Sequence, residues 1–451
     1  MFSKMKIKYL SVLAVGALLQ LNPLHAQEKL TLQEAIKYAL ENKAEAKKSK
    51  LDVENAEYKI EEVRAGALPQ INASAGLTYN PIIQKVALDG ALMGQPGETI
   101  LVAMGQKWQG TPTVSLSQQI FNQSVFTGLK AASTTREFYL INDQLTEEQL
   151  IEKVATAYYD VFQTQLQLET VQTNLDNTEK TQKVIDGLYQ AGLAKKIDLD
   201  RIGVALNNLK AQKQQVQNAL ELQENALKFA VGMDIQQDIS LPEETFAIDA
   251  SILNEVGSVE NRTEVRAMNK QIDLLHLNKK AMQSAYYPTL SLTANYGYMG
   301  FGQKFPVFSN HPSVAWSNFA AIGVNLSFPI FSGFGTRAKV RQADVDIRKA
   351  QVDLADTKLA LSLGNENAKA QVKNSLLTIH TNQENVQLAK EVLDNTQNNY
   401  QNGLASLTDL LDAEKAYADA QNNYTTSLLS YKVAEIQLIK ANGELRSLIN
   451  E

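Results

Sequence analysis

Apolar and small polar side chains alternate along Leu290-Ser-Leu-Thr-Ala-Asn-Tyr-Gly-Tyr298. Because successive side chains of a β-strand point to opposite faces of a sheet, this alternation predicts a strand with one apolar and one polar face. Three further segments alternate in the same way, which gives predicted strands at about 68–80, 111–121, 288–299 and 318–331. Each is roughly ten residues long, the length that a tilted strand needs to cross a bilayer.

A soluble sheet with one face on a hydrophobic core is the commoner source of such alternation. Two features favour a membrane instead: no segment is suited to cover the apolar faces, and the polar faces are small and uncharged, as in a water-filled lumen. Aromatic residues also lie near the predicted strand ends, where a belt at the membrane interface is expected. These residues are Trp108, Phe121, Trp316 and Phe331.

Four strands are too few to close a transmembrane barrel, which needs about eight. An open edge in lipid leaves backbone groups unpaired at several kcal/mol each. If the strands enter a membrane, the chain must therefore form an oligomer. The sequence pattern does not set the number of copies.

The chain is internally duplicated. Pro69-Gln-Ile-Asn-Ala-Ser recurs as Pro288-Thr-Leu-Ser-Leu-Thr, and Tyr189-Gln-Ala-Gly-Leu-Ala194 recurs as Tyr400-Gln-Asn-Gly-Leu-Ala405. Each half is predicted to contain a helix, two strands and a long helical hairpin. The predicted divisions are a first repeat at 27–232, a connector at 233–257 and a second repeat at 258–451.

The first 26 residues are predicted to be a secretory signal peptide. Lys4, Lys6 and Lys8 form a basic start, an apolar segment follows, and Ala26 supplies a small residue for cleavage before Gln27. A membrane-anchor helix is the alternative. Removing these lysines makes the mature chain more acidic than the formal charge of −6 for the whole chain, which disfavours nucleic-acid binding.

Long helices are predicted by proline-free tracts with apolar residues at three- and four-residue intervals, such as the tract from about 128 to 189. Narrow apolar seams of this kind indicate coiled-coil packing, although a solid rod-like spacer has the same seams. The hairpins are predicted to turn at Gly192 and Gly403, since glycine adopts the left-handed cap conformation. The first helix is expected to begin with a capping box at Thr31-Leu-Gln-Glu34.

Three motifs together resemble the TolC-like outer membrane factor family. They are Leu68-Pro69 with the alternating strands, Pro329-Ile-Phe331-Ser-Gly-Phe-Gly335 before a long helix, and Tyr400-Gln-Asn-Gly403 followed by Asp409-Leu-Leu-Asp412. The resemblance covers the mature chain. It implies a mainly α protein with membrane β structure, in which a homotrimer forms a twelve-stranded transmembrane β-barrel, four strands per chain. A long α-helical coiled-coil barrel would continue it in the periplasm.

The resemblance also implies a function in the outer membrane. Such a channel is the exit duct of a tripartite efflux or type I secretion system, a passive conduit with no cofactor and no enzymatic activity. Its implied partners are a periplasmic adaptor protein and an inner-membrane transporter of RND or ABC type. The transported substrate is not indicated.

The resemblance assigns roles to residues at the hairpin turns. Adaptor contact is implied for Gly192, Leu193, Gly403 and Leu404, and a narrow pore entrance or gate for Asp409, Asp412 and Tyr400. Ala405 replaces an arginine of the best-known member, so the closed state is not expected to use the same ion pair. Lys195, Lys196 and Arg201 at the first turn are candidates to replace that arginine. Considered alone, an acidic residue in the first turn of a helix usually only complements the helix dipole.

Other function classes fit less well. A periplasmic coiled-coil adaptor would have one helical hairpin and no duplicated membrane strands, and an adhesin-type envelope protein would have one barrel-forming region. Enzyme chemistry finds no support, because cysteine is absent and His276, His311 and His380 lack metal-ligand spacing.

Overall fold

The computed structural model describes residues 29–94, 96–242, 248, 250–254, 257–307, 309 and 311–449. The predicted signal peptide lies outside this range, as do parts of the predicted connector. The regular elements are α1 (Leu32–Asn42), α2 (Ala44–Ala65), β1 (Gln70–Tyr79), β2 (Lys85–Asp89), β3 (Thr99–Ala103), β4 (Trp108–Phe121), α3 (Gln123–Gln190), α4 (Lys196–Val231), α5 (Thr263–Ser284), β5 (Thr289–Gly302), β6 (Val314–Ser327), α6 (Gly335–Gln401) and α7 (Leu407–Asn442).

The duplication is visible in the lengths of these elements. α2 and α5 have 22 residues each, α4 and α7 have 36 each, and α3 and α6 have 68 and 67. The chain divides into two compact units, and each unit draws segments from both halves. One contains residues 48–146 and 258–363, and the other contains the remaining described residues.

The first unit contains an antiparallel sheet in the order β1-β4-β5-β6. Its register aligns the alternating side chains across all four strands. Ile71 pairs with Leu116, Leu116 with Ala294, and Ala294 with Ile322. The next row is Asn72, Ser115, Asn295 and Ala321. One face of the sheet is therefore predominantly apolar and the other predominantly polar, as the sequence pattern predicted.

Two local features differ from simple alternation. A bulge in β4 between Gln119 and Phe121 places Phe121 opposite Leu290, which belongs to the apolar face. β6 ends at Ser327 rather than near 331, because Pro329 has no backbone N–H to continue a ladder. Phe331 therefore lies beyond the strand, in the turn that leads into α6.

A short two-stranded sheet of β2 and β3 was not anticipated from the sequence. It lies in the connection between β1 and β4, and its two five-residue strands pair from Lys85 with Ala103 to Asp89 with Thr99. The segment 303–313 occupies the corresponding place between β5 and β6, and its described residues contain no strand.

The second unit is built from helices. Its largest core joins α1, α3, α4 and α7 through fully buried side chains that include Ile36, Val154, Tyr158, Leu227 and Ile436. A second core joins α6 to α7 through Val372, Ile379, Leu428, Tyr431 and Leu438. The apolar seam predicted in α3 is thus the buried face of that helix. Among the described residues, no helix is long and apolar enough to cross a membrane.

The predicted capping box of α1 is confirmed. Thr31 N donates to Glu34 Oε2 at 2.9 Å, and Glu34 N donates to Thr31 Oγ1 at 3.3 Å. The helix that begins there is broken at Lys43, whose backbone is extended. The Lys43 ammonium group lies 3.6 Å from the centre of the Phe229 ring, which ties this break to the end of α4.

Candidate functional site

The two hairpin turns of the helical unit have the same backbone structure. Gly192 has φ 76° and Gly403 has φ 73°, a region that disfavours side chains. Leu193 N donates to Leu188 O at 2.8 Å, and Leu404 N donates to Asn399 O at 2.8 Å. These six-to-one hydrogen bonds, with the glycine N–H bonded three residues back, are Schellman motifs. The glycines thus end α3 and α6 in a fixed geometry.

Each turn presents a leucine to solvent. Leu193 is 77% exposed and Leu404 is 79% exposed. A leucine gains about 1.5–3 kcal/mol when it is fully buried, so two exposed leucines on rigid turns form a suitable contact for a partner. Adaptor contact at these residues remains a prediction.

Asp409 performs a structural role at the start of α7. Its Oδ2 accepts hydrogen bonds from Ser406 N at 2.8 Å and from Ser406 Oγ at 2.7 Å, while Asp409 N donates to Ser406 Oγ at 3.2 Å. The Ser406 side chain, and then its backbone N–H, hold the pKa of Asp409 below its ordinary value. This is the capping arrangement that acidic residues near a helix start usually form.

Asp412 lies three residues further along α7, on the same side of the helix as Asp409. Both residues are exposed. The second hairpin therefore presents two carboxylates on one exposed stripe of α7. The capping role of Asp409 does not prevent its carboxylate from contributing charge to that stripe.

Tyr400 is part of a small apolar cluster just above the turns. It packs against a cluster formed by Ile185 of α3, Ile202 of α4 and Leu407 of α7. Burial, and then the nearby Asp198 carboxylate, raise the pKa of Tyr400. Tyr400 thus packs against a cluster drawn from the other three helices, which suits a residue that holds the hairpins together.

Among the described residues of the single chain, the basic residues of the first turn form no ion pair. Arg201 Nη1 donates to Thr408 Oγ1 at 2.9 Å, which links α4 to α7 through a neutral group. Lys195 caps α4 without a side-chain hydrogen bond, and both Lys195 and Lys196 are exposed. Within the described part of the chain, neither lysine forms an ion pair.

The four aromatic residues predicted for the membrane interface separate into two pairs in the sheet unit. Trp108 begins β4 and Trp316 lies near the start of β6, whereas Phe121 ends β4 and Phe331 follows β6. Since β4 and β6 run in the same direction through the antiparallel sheet, each pair lies at one end. The pairs are about 40 Å apart along a strand, or about 30 Å after a 40° tilt, close to the hydrocarbon thickness of a bilayer.

The tryptophan end contains more aromatic residues than the sequence indicated. The centre of the Trp108 ring lies 4.6 Å from the centre of the Tyr79 ring and 5.2 Å from the centre of the Phe305 ring. Trp316 covers Gly300, where a Cβ atom would lie 2.6 Å from its ring, and its Nε1 donates to Pro306 O at 3.3 Å. Gly300 therefore creates the space in which Trp316 lies flat on the sheet.

Comparison with known proteins identifies the family. The sequence profile of the family described as "Outer membrane efflux protein" matches residues 35–233 and 258–444. The chain belongs to the outer membrane efflux protein family. It is accordingly an outer-membrane efflux channel, and the family is not enzymatic.

Curated relatives of this family are similar over most of their length. Outer membrane protein TolC of Vibrio cholerae is 24% identical over 387 residues, which cover 85% of this chain and 83% of the relative. The probable efflux pump outer membrane protein TtgC of Pseudomonas putida is 24% identical over 431 residues, with 91% and 82% covered.

Solved structures of this family share the fold. The outer membrane protein VceC of Vibrio cholerae matches with a TM-score of 0.72 at 20% identity, over 91% of this chain and 96% of VceC. The CmeC outer membrane channel of Campylobacter jejuni matches with a TM-score of 0.69 at 19% identity, over 92% and 85%. The predicted fold, with long helices and four antiparallel strands per chain, is confirmed.

Proposed function

We propose that three copies of this chain form the exit duct of a tripartite efflux or type I secretion system, through which substrates pass without chemical change. The apolar face that runs across all four strands carries this proposal. A face of that width needs an apolar environment, and a lipid bilayer supplies one.

The open edges of the sheet account for the oligomer. Among the described strands, β1 and β6 each pair with one neighbour only, so one long side of each strand has backbone groups without a ladder partner. In lipid these groups must pair, and the edge strands of other copies of the chain provide the partners. TolC-like channels are trimeric and work in efflux pumps. Three copies of four strands give a closed barrel of twelve.

The hairpin turns account for the remaining partners. Leu193 and Leu404 are exposed apolar residues on rigid turns, as a docking site for a periplasmic adaptor requires. The adaptor would connect the duct to an inner-membrane transporter of RND or ABC type, which supplies the energy and selects the substrate. The relatives include a toluene efflux pump protein and an antibiotic efflux pump protein of Pseudomonas putida at similar identity, 23% and 24%.

The carboxylates of α7 fit the entrance of this duct. Asp409 and Asp412 from each of three copies would form acidic rings around a narrow opening. Rings of carboxylates favour cations.

This proposal is tested with the double variant Asp409→Asn and Asp412→Asn in planar lipid bilayers. Asparagine removes both charges but keeps an oxygen that can accept the cap hydrogen bond of Ser406. We expect a weaker preference for cations, because the acidic rings are neutralised, together with a changed single-channel conductance.

The matched control is Glu391→Gln, which removes a carboxylate from the exposed surface of α6. It is expected to leave both conductance and ion preference unchanged. If the double variant conducts and selects ions as the natural chain does, Asp409 and Asp412 do not form the entrance.

A further inference from the structure

Two cavities flank the contact between α7 and α3 above the hairpin turns. One, of about 350 Å³, lies between α3, α6 and α7, and the other, of about 510 Å³, lies between α3, α4 and α7. Both are lined by Asn174, Thr178 and Glu414. Protein interiors are otherwise close-packed. The contact of α7 with α3, which lies between the two cavities, therefore depends on few side chains.

Glu414 is the acidic residue at that contact. Its Oε2 accepts a hydrogen bond from Thr178 Oγ1 at 3.4 Å, and its Oε1 lies 3.4 Å from Thr181 Oγ1. Thr178 is only 3% exposed. In the described part of the chain, no basic group lies within ion-pair distance of Glu414.

The hydroxyl of Thr181 can pair with either protonation state of Glu414, because it donates to an ionised carboxylate and accepts from a protonated one. A hydroxyl has one proton to donate, and that of Thr181 is within hydrogen-bond distance of the Asn177 carbonyl at 3.2 Å. A protonated Glu414 can donate to Thr181 Oγ1 while it accepts from Thr178, so every group has a partner. Burial raises the pKa of Glu414, and the threonine hydroxyls offset this only in part.

Charged and titratable side chains from the neighbouring helices line the same two cavities. α3 contributes Lys180, α6 contributes Lys390, Asp394 and Tyr400, and α7 itself contributes Asp412, Lys415, Tyr417 and Asp419. The cavity-lining residues of α4 carry no charge. Charges of both signs surround Glu414, and none is close enough to hold it ionised.

We propose that Glu414 is a positioning residue of the channel entrance, whose protonation state sets how closely α7 is held against α3. This inference rests on the proposed function, because α7 carries the entrance residues Asp409 and Asp412. A protonated Glu414 bridges the two helices through Thr178 and Thr181. An ionised Glu414 is better hydrated when α7 moves away from α3, and that movement widens the opening between the carboxylates.

The direction of the pH dependence follows from the raised pKa. The proton binds Glu414 more tightly when α7 is docked than when Glu414 is hydrated. The stabilisation of the docked arrangement is therefore fully present below the ordinary pKa of a glutamate and is lost as the pH rises through the raised value. The channel should be narrower in acid and should open as the pH increases.

The test is a pH series of single-channel conductance for the natural chain and for Glu414→Gln. Glutamine resembles the protonated form, so we expect the variant to remain at low conductance and to lose the rise with pH. Since Asp409 and Asp412 are carboxylates of the proposed entrance, both measurements are repeated with Asp409→Asn and Asp412→Asn present. In that background, the rise of conductance with pH should persist when residue 414 is glutamate and be absent when it is glutamine.

Two further variants separate positioning from general packing. Thr178→Val keeps the shape of the side chain but removes a donor to the Glu414 carboxylate. Because that hydrogen bond lowers the pKa of Glu414, its loss should shift the rise in conductance to higher pH. Glu391→Gln on exposed α6 should leave the rise unchanged. An unaltered rise in Glu414→Gln, or a natural chain whose conductance is flat with pH, overturns the role of Glu414 and leaves the channel function intact. A natural chain that forms no pores overturns both.

Discussion

Ile322→Arg is expected to remove nearly all folded trimer from the outer membrane. Ile322 is 82% exposed in the single chain and lies near the middle of β6, in the row that joins Ile71, Leu116 and Ala294. Arginine at the bilayer midplane destabilises a membrane barrel by about 2–4 kcal/mol, and the trimer contains the change three times. The sum approaches the whole stability of a typical folded domain, about 5–15 kcal/mol. The measurement is the amount of heat-modifiable trimer in isolated outer membranes.

Ala321→Arg is the matched control for this substitution. Ala321 is the adjacent residue of β6 and belongs to the polar row with Asn295. On that face the arginine would project into water, so a nearly normal amount of trimer is expected. Equal amounts of trimer in the two variants would show that the two faces do not differ in environment.

Leu193→Asp combined with Leu404→Asp is expected to abolish efflux while pore formation remains intact. Both leucines are exposed, so aspartate at these positions has little effect on folding of the chain itself. At an interface, the change replaces two apolar contacts with charges that must lose water, in each of three copies. A loss of 2 kcal/mol or more per contact is typical of interface hot spots, and here it would disconnect the duct from its adaptor.

The measurement uses a strain in which the gene is deleted and replaced by the variant. Sensitivity to drugs and metals, together with export of secreted proteins, should match the deletion strain, although the purified variant conducts normally in bilayers. As a control, the double variant Leu193→Met and Leu404→Met should retain transport, because methionine is also apolar. Full transport by the aspartate variant would mean that the turns do not form the docking site.

The strands could be predicted because apolar and polar residues alternate in the sequence wherever each face of the sheet has a uniform environment. The exceptions arise from contacts with other strands. Phe121 reaches the apolar face only through the bulge, whose position depends on pairing with β5. The space for Trp316 depends on Gly300, which is distant in sequence and adjacent only in the register.

The helix ends were predictable where the signal is local. Gly192 and Gly403 end their helices as expected, since the left-handed conformation favours glycine. Ser406 and Asp409 also form a local pair at three-residue spacing, so the capping role of Asp409 could have been read from the sequence. The break at Lys43 has no local signal, and the side chain of Lys43 contacts Phe229, which is far away in the chain.

Glu414 shows the limit of sequence patterns for the candidate site. In the sequence it is one of many charged residues on a long amphipathic helix, and most such residues face water. Only the packing of α7 on α3 reveals that Glu414 is half-buried beside Thr178 and Thr181, with no basic partner among the residues that the structure describes. No periodicity distinguishes such a residue from its exposed neighbours.

The most direct test is the mass of the complex extracted from outer membranes with detergent, measured by native mass spectrometry. Four strands with two open edges cannot form a closed wall alone, so we expect three times the mass of the mature chain and precipitation when detergent is removed. A single chain that stays in solution without detergent would contradict a membrane role for the apolar face of the sheet.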